Sequence, residues 1–343
     1  MARPLAISGL GMVSCLASGA EMNAAAMRCK YSNFLPTDFY INNSMERQIG
    51  AKAEGFDLIG INHLIDMSTT AILQALEDSD LALDEIPLVV AFPSTEQIPN
   101  AWGEGFHSVF LQRLQAQLPQ LKFSASSSLI CAGRAGTILA INKLQDCIYK
   151  EGSQHGLLLG VDSLLNNHRM SLYQDLDEGS RMLNDDSPNG FIPGEAAVAV
   201  ILSRPDGSTQ TCITGVAYAS EKITIYSDDI LRATGLTEAS QKAVKDAETR
   251  VCDTNFMLSS VNGESYFFKE VALLQSRALE EKIASFPLWH PADNIGEVGS
   301  AVGAAIIVMG HFAFKKAYAP GKRALCLLSN DNEDRGVFVL ERK

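Results

Sequence analysis

Residues 126–141 read SSSLICAGRAGTILAI. A serine-rich lead-in and a short apolar run reach Cys131, and the small residues after it continue into an apolar pattern at helical spacing. The spacing predicts a helix starting at Cys131, over CAGRAGTILAINKLQDCIYKEG (131–152), with strand HGLLLGVDSLL (155–165) after it. Upstream, LAISGLGMVS (5–14) and IPLVVAFPS (86–94) read as buried strands around the helical segment 63–79. Downstream, AAVAVILSRPDGSTQTCITGVAYAS (196–220) reads as two strands joined by a Pro-Asp-Gly turn. The remainder repeats the scheme: helix 236–251, strand 255–265, helix 268–283, a second small-residue helix in GEVGSAVGAAIIVMGHFAF (296–314) and a terminal hairpin over 323–343. Strands alternating with helices predict α/β layers around mostly parallel sheet. The halves divide near residue 208, giving 1–208 and 209–343 fused into one compact unit.

The 343 residues carry a formal charge of −12, with 46% apolar and 20% charged residues. That balance suits a globular chain and disfavours nucleic-acid partners and anionic membrane surfaces, which need a basic face. FKKAYAPGKR (314–323) is the one local basic cluster. Seven cysteines at positions 15, 29, 131, 147, 212, 252 and 326 show neither a CxxC pair nor metal-ligand spacing, as expected in a reducing compartment. The apolar run 298–314 is too short and too rich in Gly and Ala for a membrane span. The expected setting is soluble and cytoplasmic, with no cofactor.

Four segments in order resemble the β-ketoacyl-(acyl carrier protein) synthases of the thiolase superfamily. LAISGLGMVSCLASG (5–19) is similar to that family's opening strand, and SSLICAGRAGTILAINKL (127–144) to its nucleophile segment. NGFIPGEAAVAVIL (189–202) resembles its Gly-Phe and Gly-Glu signature, carried here by Gly190, Phe191, Gly194 and Glu195. NIGEVGSAVGAAIIVM (294–309) resembles its Gly-His segment. The resemblance implies a thiolase-like five-layered αβαβα fold of two βαβαβαββ halves, usually a homodimer, with an active site made by the nucleophile helix and two later His loops. Both His positions are replaced. SVNGESYFFKE (260–270) puts Asn262 at the first and Glu270 on the acidic residue eight positions later; Gly296-Glu297 stands for the Gly-His pair. The family's Lys falls on Ala292, and SNDNEDRG (329–336) replaces its Gly-Phe-Gly-Gly loop. Glu195 matches a residue usually read as structural.

Cys131, Asn262 and Glu297 are therefore the candidate catalytic residues, with Glu264 and His290 as additional ones. A thiol at a helix N-terminus has its thiolate favoured by the dipole, and backbone N–H groups there can hold an oxyanion. Decarboxylative condensation needs donors for an enolate oxygen, which a carboxylate at 297 would repel. Glu297 could instead take a proton from the thiol, water or an acceptor, or cap a helix. His63, His107, His155, His168 and His311 are expected as surface or satisfied core residues. The leading expectation is an acyltransferase loading Cys131 from an acyl carrier protein or coenzyme A thioester. The alternatives are an idle partner subunit of chain-length-factor type or a thioester hydrolase. The expected assembly is a homodimer or a heterodimer with another ketosynthase, and 314–323 is the candidate carrier-docking patch.

Overall fold

A computed structural model describes residues 3–41, 45–81, 85–99, 105–174, 180–208 and 211–343. The first half runs β1 (Leu5–Ser14), α1 (Ala20–Arg28), β2 (Leu35–Tyr40), β3 (Arg47–Gly50), α2 (Gly60–Ser79), β4 (Glu85–Ile86), β5 (Leu88–Phe92) and α3 (Phe106–Gln117). It continues through β6 (Lys122–Phe123), β7 (Ser128–Cys131), α4 (Gly136–Tyr149), β8 (His155–Ser163), α5 (Asn167–Gln174) and β9 (Glu195–Ser203). The second runs β10 (Thr211–Ser220), α6 (Thr234–Asp246), β11 (Phe256–Ser259), α7 (Ser265–Ala278), β12 (Leu288–Trp289), α8 (Ala292–Ile295), α9 (Val302–Lys315), β13 (Arg323–Ser329) and β14 (Asp334–Arg342).

Without the short additions, each half is βαβαβαββ. β1-α2-β5-α3-β7-α4-β8-β9 is mirrored in order by β10-α6-β11-α7-β12-α9-β13-β14. The sheet orders agree as well: β7-β5-β8-β9-β1 and β12-β11-β13-β14-β10. The two sheets join where Leu5 lies opposite Ile213 and Ala6 opposite Cys212. α2 covers the outer face of the first sheet and α6 the outer face of the second, with α7 packed in the same apolar cluster, while α4 and α9 lie between the sheets and touch both. This is the five-layered architecture expected.

The middle layer explains the small-residue helices. Every residue of α9 except His311 and Lys315 is buried, as a helix apolar on all sides requires. Each such Ile, Val or Phe contributes about 1.5–3 kcal/mol by leaving water. A Cβ added at Gly303 would sit 2.2 Å from Thr137 Oγ1, so glycine there sets how closely α9 crosses α4. No described helix is long and apolar enough to cross a membrane.

One expectation changes. The sheet is mixed rather than mostly parallel: β1·β9, β1·β10, β10·β14, β13·β14 and β8·β9 are antiparallel, while the pairings of β5 with β7 and β8, and of β11 with β12 and β13, are parallel. Helical crossovers impose the parallel pairs; β13 and β14 are antiparallel across a short turn, whereas β8 and β9 are antiparallel across a connection that contains α5. The two strands expected in 196–220 are β9 and β10, and β1 lies between them in the sheet.

Candidate functional site

The site lies where the two buried helices start. After Cys131 closes β7, the chain passes Ala132, turns at Gly133 with φ +57°, makes a 3-10 turn over Gly133–Ala135 and enters α4. The second half repeats this: Glu297, Val298, Gly299 with φ +53°, a 3-10 turn over Gly299–Ala301, then α9. A side chain at such a left-handed position costs about 1–2 kcal/mol. The two 3-10 turns touch each other. Asn330 in the β13–β14 loop holds the first turn, accepting the Ala135 N–H at 2.9 Å and donating to the Ala132 carbonyl at 2.8 Å. The expected helix start at Cys131 is thus displaced to Gly136, and the head of the helix carries Gly133 and Arg134 rather than a thiol.

Arg134 is buried and points into the space between the helix starts. It donates to Glu297 Oε2 at 3.1 Å, to Asp331 Oδ1 at 3.0 Å and to the Ser329 carbonyl at 2.8 Å. Glu297 also accepts the Gly299 N–H at 2.7 Å and Asn262 Nδ2 at 2.8 Å. Asn262 shares its amide with Glu264 Oε2 at 3.0 Å. Arg181 forks onto Glu264 at 2.7 and 2.8 Å and onto Asp331 at 3.0 and 3.1 Å, with Tyr226 as a further acceptor at 2.8 Å. Two guanidiniums thus tie together three carboxylates. Burial alone would raise the Asp331 carboxyl, but Arg134 and Arg181 outweigh it and hold the group well below the carboxylate range. Burial disfavours the Arg134 cation, and Glu297 and Asp331 more than restore it. The cleft beside this cluster has a volume of about 300 Å³, with Gly133, Arg134, Tyr173, Glu297 and Asp331 in its lining.

Among the sequence candidates, the fold brings Asn262, Glu264 and Glu297 together and leaves Cys131 and His290 out. The Cys131 side chain is half-buried against the apolar cluster under α2 and α3, and its Sγ lies 3.2 Å from His107 Nε2. Burial pushes this thiol up to about 11, the reverse of the lowering expected at a helix N-terminus, because Cys131 precedes that terminus. His290 lines a different cavity with Trp289 and Tyr318, since β12 and α8 carry it away from Glu297. Glu297 is a cap and an ion-pair partner at once; its lone pairs are engaged by three donors, which leaves little for a general base. Glu195 is structural, accepting the Ala53 N–H at 3.0 Å, Ser163 Oγ at 2.7 Å and His63 Nε2 at 2.9 Å. Glu270 is fully buried with Arg335 at 2.6 Å. In the basic segment, Lys316 pairs with Glu21 at 2.5 Å and Arg323 with Glu341 at 2.8 Å, so two of its four cations are neutralised.

Arg134, Arg181 and Asp331 were not singled out from sequence. Arg134 is the one charge in CAGRAGTILAI, and a cation amid small residues before a buried helix was a readable signal. Asp331 stands in the loop that replaces the family's glycine-rich one. Among the described residues, no group of three His, Cys, Asp or Glu side chains forms a metal site.

No protein-family model matches the chain, and no curated protein matches it in sequence. Solved structures do. The ishigamide ketosynthase/chain length factor superposes with a TM-score of 0.80 at 14% identity, covering 100% of both chains. A type II polyketide synthase acyl-carrier protein in complex with its ketosynthase, bound to the hexaketide, gives 0.78 at 15% identity, again over 100% of both chains. The ketosynthase from module 6 of the bacillaene synthase of Bacillus subtilis gives 0.77 at 12% identity, over 99% of this chain and 72% of that one. The chain thus carries, in a shortened form, the thiolase-like fold shared by ketosynthases and chain length factors.

Proposed function

We propose that this chain is a non-condensing partner subunit of chain-length-factor type, which pairs with a catalytic ketosynthase and shapes the space its acyl chain enters. The observation that carries this reading is the head of α4. Gly133 occupies the tip facing α9, and the Arg134–Glu297 ion pair fills the space between the helix starts at 3.1 Å. A thiolate attacking there would have neither a side chain to come from nor a free base. Breaking this pair to expose Glu297 would leave a buried guanidinium with less counter-charge, at a cost of about 3–5 kcal/mol. The likeness to a ketosynthase/chain length factor supports the partner reading at the level of fold.

One observation favours a second reading, an acyltransferase that loads Cys131 from an acyl carrier protein or coenzyme A thioester. His107 Nε2 is close enough, at 3.2 Å, to take the Cys131 proton. The test is intact-protein mass spectrometry after incubation with acyl thioesters on coenzyme A and on a carrier protein, wild type beside Cys131→Ala. The partner reading expects no adduct that depends on Cys131. An acyl adduct on the wild type that is absent from Cys131→Ala would overturn it in favour of the acyltransferase.

A further inference from the structure

The cavity that holds His290 lies between the C-terminal end of α1 and the β12–α8 segment. It encloses about 200 Å³ and shares no lining residue with the ion-pair cleft. Its apolar surface includes Met27 and Met309, 5% and 7% exposed. Trp289 and Tyr318 stack on each other with planes 27° apart and centroids 6.1 Å apart, so one wall of the cavity is aromatic. The rim is basic. The Arg28 guanidinium sits 4.5 Å from the centre of the Tyr318 ring. Lys30, turned by a left-handed backbone at φ +59°, lines the same opening. Neither cation has an ion-pair partner among the described residues, in contrast to Lys316, which pairs with Glu21. The side chain of His290 is 13% exposed, its Nδ1 has no hydrogen-bond partner, and Asp293 Oδ1 stays 3.5 Å away.

We infer that this cavity binds a small flat ring bearing one anionic group, phosphate or carboxylate. The ring packs against the Trp289 and Tyr318 side chains, which gain contact area. The anion meets Arg28 and Lys30 at the rim, where a charge-assisted pair is stronger than a neutral one. This inference is independent of what the cleft at Arg134 does.

The chain has two tryptophans, so a Trp102→Phe background leaves Trp289 as the single indole and its emission as the reporter. Phenyl phosphate and benzoate are the charged probes; benzyl alcohol and inorganic phosphate are the controls lacking one half of the ligand. We expect saturable quenching by a charged aromatic probe, with a Kd on the order of 0.1–1 mM for so small a molecule. The control molecules should bind about tenfold more weakly or worse, and Arg28→Ala should weaken the charged probe about tenfold while leaving benzyl alcohol unchanged. The stronger of phenyl phosphate and benzoate names the anionic group. Absence of saturable quenching by either, equal affinity for benzyl alcohol, or indifference to Arg28→Ala would overturn the site. Arg28 is exposed, so its replacement leaves the fold intact.

Discussion

Cys131-Ala132-Gly133-Arg134-Ala135 and Glu297-Val298-Gly299-Ser300-Ala301 occupy the same place in the two halves. Each leads from a strand or bridge, through a glycine at φ +57° or +53°, into a buried helix. Their contents are opposite. Glu297 turns inward, takes the Gly299 N–H and pairs with Arg134 across the interface of the halves. Cys131, at the equivalent position, turns outward to His107 and the apolar cluster of the first sheet. A repeated backbone therefore offers two equivalent positions, and what stands around each decides which one meets the partner half. The first half sends Arg134 there instead, one residue past its glycine.

Several measurements would break or sharpen that contrast. The largest effect belongs to Glu297→Ala, which leaves Arg134 buried with less counter-charge; we expect a loss of about 3–5 kcal/mol in denaturant unfolding. Arg134→Leu combined with Glu297→Leu should recover most of it, because removing both charges removes the desolvation cost too. A loss at Glu297→Ala no larger than for an exposed carboxylate would mean the halves are not tied there.

The two glycines should differ next. A Cβ at Gly299 would lie 1.8 Å from Asp162 Oδ2, which Arg169 and the Ser300 N–H hold in place, whereas one at Gly133 meets Asn330 Oδ1 at 3.2 Å. Gly299→Ala should cost about 3 kcal/mol, overpacking added to backbone strain, and Gly133→Ala about 1–2 kcal/mol. Equal costs would show that strain alone governs both turns.

Acid titration gives a smaller, signed effect. The Asp331 carboxyl is held below its unfolded value of 3.8, so its contribution is present above that pH and lost as pH falls through the folded value. Asp162 and Glu270 are raised by burial despite their guanidinium partners, and they act in the opposite sense, losing stability as pH rises. Asp331→Asn should flatten the stability loss of the wild type below about pH 4. An unchanged acid slope would remove Asp331 from the lock. Smallest of all, Cys131→Ala should cost about 1 kcal/mol or less, the value of trimming one half-buried sulfur.

Much of this architecture could be read from residues alone. The alternation of strands and helices, the layered fold and the small-residue helices followed from spacing and resemblance, and Asn262, Glu264 and Glu297 were among the candidate residues they named. The mixed sheet did not, because apolar periodicity marks a strand without naming its neighbour; β1 between β9 and β10 is set by long-range pairing. The site was half readable for a related reason. Cys131 and Gly133 stand two residues apart, and sequence cannot say which of them the left-handed turn places at the helix head. Arg134 was visible, but its importance depends on Asp331 and Glu297, 197 and 163 residues away.

The central claim is that Cys131 is an outward, unactivated thiol. The most direct measurement is the rate of carboxamidomethylation at Cys131 against pH, read by peptide mass on the folded wild type. The account predicts slow labelling at neutral pH and a rise with a midpoint near about 11, as burial dictates. A midpoint near or below about 7, the range of catalytic thiolates, would contradict it and return Cys131 to the role of nucleophile.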